Sequence, residues 1–89
     1  MYTLVAPQQF QRQARKFLKK HPDLRPRLAS ILGDLQEDPF LPHLDLHPLS
    51  GKLAGCFSVS LTYQYRITLT LLIAEKEIIL LDVGSHDEV

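Results

Sequence analysis

Seven cationic side chains fall within the first thirty residues: Arg12, Arg15, Lys16, Lys19, Lys20, Arg25 and Arg27, against the single acid Asp23. The rest of the chain holds Lys52, Arg66 and Lys76 against nine acids, so a formal net charge of zero divides into +6 and −6. A cationic element of this kind releases counterions when it meets phosphates, which points toward a polyanion. The competing reading is the solvated face of an ordinary helix. Beyond this segment the chemistry-bearing residues are few. Arginine carries a fixed charge on a fork that fits phosphate, which makes Arg66 a candidate. Histidine exchanges protons near neutral pH, which brings in His86. The four histidines lack the paired spacing of metal ligands, Cys56 stands alone, and no glycine loop of the phosphate-cradling kind occurs.

Length and composition limit what can position these residues. At 89 residues the chain has room for one domain, 1–89, with one core. A hydrophobic fraction of 45% with 22% charged residues argues against disorder. A lone cysteine forms no internal disulfide, which fits a reducing compartment. No leader pattern or membrane-length apolar run is visible, so the expectation is a soluble cytoplasmic protein without a membrane partner.

The pattern of apolar residues predicts the elements. Tyr2 to Val5 reads as a short strand. A helix follows from Pro7, with Phe10, Ala14, Phe17 and Leu18 on one stripe, and Pro22 stops it. Asp23 is the expected N-cap of a second helix carrying Leu24, Leu28, Ile31, Leu32 and Leu35, which Asp38-Pro39 ends. Gly33 inside it suggests close helix–helix approach. Residues 38–51, rich in proline, read as a surface connection. From Cys56 the period becomes two, predicting strands through Phe57–Leu61, Tyr65–Ile73 and Ile78–Val83. The expected fold is α+β: a short N-terminal strand, then a two-helix antiparallel hairpin packed on one face of an antiparallel sheet of three or four strands.

Residues paired across antiparallel strands share a face, so parity assigns side chains. Facing Leu61 with Ile67, and Ile73 with Glu77, puts Ile67, Leu69, Leu71, Ile79, Leu81 and Val83 toward the helices. The other face then carries Ser58, Ser60, Thr62, Arg66, Thr68, Thr70 and Asp82, with Leu72, Ile78 and Leu80 as an apolar end that wants a partner. Gly84 is expected to turn the chain so that His86 emerges beside the polar face.

Three segments narrow the family. Leu46-His47-Pro48-Leu49-Ser50-Gly51-Lys52-Leu53-Ala54-Gly55, Tyr65-Arg66-Ile67 and Val83-Gly84-Ser85-His86-Asp87-Glu88-Val89 follow the basic Phe10-to-Lys20 helix and Asp38-Pro39. In this order they resemble the RelE/ParE superfamily of bacterial toxin–antitoxin modules over nearly the whole chain. The resemblance implies a toxin neutralised by a cognate antitoxin that wraps around it, the complex binding operator DNA through the antitoxin. RelE- and YafQ-like members cleave mRNA in the ribosomal A site through attack of a 2′-OH on the adjacent phosphate. ParE-like members inhibit DNA gyrase without being nucleases, and a degenerate toxin acting only as an antitoxin-binding corepressor is a third reading. On the nuclease reading the resemblance gives Arg66 the phosphate charge, with His86 and His47 as proton carriers and no metal or cofactor. Asp82 then orients Arg66, Lys52 and the basic helix bind phosphate, and Leu72, Ile78 and Leu80 receive the antitoxin. Ser58 and Ser60 stand where RelE has lysines, and Gln64 where YafQ-like members have an aspartate. Many members also carry, beyond the position of Val89, an aromatic that stacks on a base.

Overall fold

The computed structural model describes residues 1–85. Its order is β1 (Thr3–Val5), α1 (Gln8–Lys20), α2 (Arg25–Glu37), β2 (His47–Pro48), β3 (Phe57–Ser60), β4 (Tyr65–Leu72) and β5 (Glu77–Ser85). The strands form one sheet in the order β1-β5-β4-β3-β2. β1 runs parallel to β5, and every other neighbouring pair is antiparallel. The α+β class stands, but the sheet is five-stranded and mixed. The expected N-terminal strand β1 joins one edge in parallel, and the addition is the two-residue β2 at the other, too short to show a period of two.

Proline places the helix ends. Pro7 precedes α1 with φ −57° and ψ 157°, and its carbonyl accepts from the Gln11 amide at 3.0 Å. Phe10 and Phe17, two turns apart, enter the core, while Lys19 and Lys20 complete a basic last turn that suits the helix dipole. His21 leaves the helical region at φ −133° and ψ 64° because Pro22 follows it. Asp23 is not a cap. It lies within a 3-10 turn, Pro22–Leu24, and α2 begins at Arg25 without a side-chain cap. Pro22 and Pro26 carry no N–H, so this end has fewer donors for a cap to satisfy. α2 buries Leu28, Ile31 and Leu35, and ends where Asp38 turns extended before Pro39.

Gly33 does not mediate a close approach. A Cβ placed there meets nothing within 4 Å. With open space in a helix interior, glycine contributes only its entropic cost. Gly33→Ala should therefore stabilise the domain by about 1 kcal/mol, raising Tm by roughly 4–8 °C. Thermal and urea unfolding check this, and an unchanged or lower midpoint would contradict it.

The segment between α2 and β3 is not merely a surface connection. Pro39 and Leu44 are fully buried, and His43 Nε2 meets Asp34 Oδ2 of α2 at 2.8 Å. Near Gly51–Leu53 the chain turns tightly, with φ +70° at Gly51 and +95° at Gly55. Glycine accepts such angles without steric cost, and the Leu49 amide then closes the loop on the Cys56 carbonyl at 2.9 Å.

The β3–β4 register pairs Val59 with Ile67, Ser58 with Thr68 and Ser60 with Arg66. This differs by two residues from the expected hairpin, which preserves each face and lengthens the loop to residues 61–64. The β4–β5 register is different in kind. Arg66↔Gly84, Ile67↔Val83 and Thr68↔Asp82 match expectation, but a bulge at Leu81 shifts the pairing to Leu69↔Leu80, Thr70↔Ile79 and Leu71↔Ile78. Ile78 and Leu80 therefore face the core with Leu69, at 0% and 1% exposure, and are not on the open face. Thr70, Leu72 and Ile79 occupy that end instead. Gly84 does not turn the chain, since β5 continues through it to Ser85. Among the described residues no helix is long and apolar enough to cross a membrane.

Candidate phosphate-binding cleft

Opposite the helices, the ends of β2, β3 and β4 enclose a cleft of about 230 Å³. His47, Ser58, Ser60 and Arg66 line it, with Asp45, Val59, Thr62, Tyr63 and Tyr65 at its margins. The sheet register creates this grouping. His47 pairs with Ser58, Ser58 with Thr68, and Ser60 with Arg66, so all point to the same face. Gly84 stands opposite Arg66 and adds no side chain to that row.

A directional hydrogen-bond chain runs through the cleft. His47 Nδ1 lies 2.9 Å from the carbonyl oxygen of Asp45, which can only accept, so Nδ1 carries the proton. Asp45 is held at φ 52° after the turn Pro42–Leu44, which aims that carbonyl at the ring. In the neutral ring Nε2 is then the acceptor. It receives the Ser58 hydroxyl at 3.1 Å, while Arg66 Nη1 donates to Ser58 Oγ at 3.2 Å. Arg66 Nη1 also comes within 3.4 Å of His47 Nε2. The order is guanidinium to hydroxyl to imidazole to carbonyl. An unprotonated imidazole nitrogen beside a fixed cation can take a proton from a hydroxyl whose attack creates negative charge. Ser58 has no exposed surface, so it cannot reach a substrate as a nucleophile and serves to hold the other two.

The sequence candidates separate accordingly. Arg66 and His47 converge. His86 lies outside the described residues. Asp82 sits opposite Thr68, and its Oδ1 accepts from the Val83 amide at 2.8 Å. Lys52 is exposed on the Gly51–Leu53 turn and does not line the cleft. Arg12, Arg15, Lys16 and Lys19 of α1 line a separate open groove with Arg25, the first residue of α2. Lys16 and Lys20 border a further hollow with His21 and Tyr65, so Tyr65 is shared between that hollow and the Arg66 cleft. There the Tyr65 ring packs on Phe17 and His21 at centroid distances of 5.1 and 4.7 Å. Ser58 is the site residue that sequence reasoning passed over. Its face was legible, but its partner strand was not. Among the described residues no group of three or more His, Cys, Asp or Glu side chains is placed to hold a metal.

No family model and no curated protein matches the sequence. Solved structures do match it. A metal-bound toxin from Helicobacter pylori is 27% identical, with a TM-score of 0.79 over 100% of this chain and 99% of that one. YafQ from E. coli gives 0.80 at 17% identity over 99% and 97% of the two chains. The toxin–antitoxin complex RelBE2 from Mycobacterium tuberculosis gives 0.67 at 26% identity, covering 96% of this chain and 98% of that one.

Proposed function

We propose that this chain, which belongs to the RelE/ParE toxin superfamily, is the toxin of a type II toxin–antitoxin module and a ribosome-dependent endoribonuclease. The observation that carries the nuclease reading is the Arg66–Ser58–His47 chain, a fixed cation and an acceptor nitrogen brought together in one cleft. His47 Nε2 takes the 2′-OH proton, and the 2′ oxygen attacks the adjacent phosphorus. The bond from phosphorus to the 5′ oxygen breaks, that oxygen gains a proton, and a 2′,3′-cyclic phosphate is left. Arg66 stabilises the charge that builds on the phosphoryl oxygens. His86 is assigned as the acid that protonates the leaving oxygen, and Asp82 as a carboxylate that orients the cationic side of the site. Lys52 and the exposed Arg12, Arg15, Lys16, Lys19 and Lys20 hold ribosomal and message phosphates, a contact that weakens with salt. No cofactor enters the reaction.

The partners follow from the same reading. RelBE2 and the E. coli DinJ–YafQ complex are toxin–antitoxin assemblies of this fold, and a cognate antitoxin is assigned here too. With Ile78 and Leu80 in the core, Leu72 and its neighbours Ile79 and Ile73 are the apolar residues left to meet it.

Message from cells expressing the protein should show new 5′ ends by primer extension. The upstream fragments should end in 2′,3′-cyclic phosphate and the downstream ones in 5′-OH. Intact message with accumulated gyrase–DNA cleavage complexes would select the gyrase-directed reading. Absence of toxicity with retained antitoxin binding would select a corepressor.

A further inference from the structure

Tyr63 is the most exposed of the large hydrophobic side chains, at 98%. The chain has three tyrosines, and the other two pack against the core. Tyr63 contributes nothing comparable to the fold, yet it borders the same cleft as His47, Ser58 and Arg66.

The loop that presents it is not loose. The amides of Leu61 and Thr62 bond the Tyr65 carbonyl at 2.9 and 3.1 Å. Thr62 Oγ1 accepts from the amides of Gln64 and Tyr65 at 3.3 and 3.2 Å, and Ser60 Oγ donates to the Thr62 carbonyl at 3.2 Å. From α2, Arg27 Nε donates to the Leu61 carbonyl at 2.9 Å. These contacts fix the backbone on both sides of Tyr63. An aromatic ring is thus held in water, at the mouth of a cationic cleft, on a pre-ordered turn. Such a ring offers a face to any base, and ordering it on binding costs little.

We infer that Tyr63 is a positioning residue that stacks on one unpaired base of the RNA whose phosphate enters the Arg66 cleft. The inference rests on the nuclease reading above and adds the contact that fixes the nucleotide next to the reacting bond. Because the ring lies outside the core, its removal leaves the fold intact and the result is a clean readout of substrate contact.

The test is single-turnover cleavage on ribosomes programmed with a message whose A-site codon is natural or carries an abasic residue at each position in turn. Tyr63→Ala should raise the half-saturating toxin concentration about 5- to 100-fold, with the maximal rate nearly unchanged. Tyr63→Phe should restore it. At one abasic position wild type and Tyr63→Ala should become equal. Equality of the two proteins on the natural message, or an undiminished loss at every abasic position, would overturn the stacking role. If Arg66→Ala abolishes cleavage in those same assays, the nuclease reading survives that failure. If wild type leaves every message intact, the nuclease reading falls. Anisotropy of a 2′-deoxy single-stranded oligonucleotide then decides Tyr63 separately: base-dependent binding lost in Tyr63→Ala retains the stacking role, and equal binding removes it.

Discussion

Arg66→Ala is expected to slow mRNA cleavage about 10²- to 10³-fold, the usual loss when a preorganised donor to a developing oxyanion is removed. Binding to programmed ribosomes should change little, because the cationic residues of α1 are untouched. The side chain has a second task, since its Nη1 donates to a hydroxyl with no exposed surface. Losing that bond should cost about 1 kcal/mol of stability. Unfolding curves recorded beside the kinetics separate the two effects. Arg66→Lys keeps a charge but loses the planar fork that serves Ser58 and a phosphate oxygen together. It should recover only part of the rate. Full activity in the alanine variant would remove Arg66 from the reaction, whereas a lysine variant equal to wild type would show that charge alone suffices.

Much of this fold follows from local rules. Phe10 and Phe17 mark the buried stripe of α1, and Pro22 and Pro39 set the helix ends through the residues before them. The alternation of Phe57, Val59, Ile67 and Leu69 with polar residues assigns the faces of β3 and β4 correctly. It fails in β5 for a physical reason. Ile78, Ile79, Leu80 and Leu81 are all aliphatic, so nothing in their pattern reveals where an extra residue has entered the ladder. The bulge at Leu81 exchanges the faces of that half-strand, burying Ile78 and Leu80 and bringing Ile79 to the open side. The edge strand β2 fails differently. β2 is only His47-Pro48, and its place beside Ser58 comes from tertiary pairing rather than propensity.

The same contrast divides the cleft. Arg66 is placed by period-two alternation and needs only the correct face. The role of His47 depends on three features remote in pattern: a left-handed Asp45, a two-residue strand and a buried Ser58. Ser58 reads in sequence as one of many solvent-facing serines. Its burial arises because His47 and Arg66 close over it, a consequence of register rather than residue type.

That closure makes His47 the more discriminating test. His47→Gln keeps an acceptor oxygen for Ser58 and a donor amide near Asp45, so the fold and the placement of Arg66 should survive. What it removes is the basic nitrogen, and cleavage should fall about 10²- to 10⁴-fold, the range for general acid–base catalysis. His47→Ala leaves a gap beside a cleft of about 230 Å³, large enough for imidazole to enter from solution. Added imidazole should restore part of the rate, and more of it as the neutral form predominates. If glutamine supports wild-type rates, His47 only braces Ser58, and the base must be sought elsewhere.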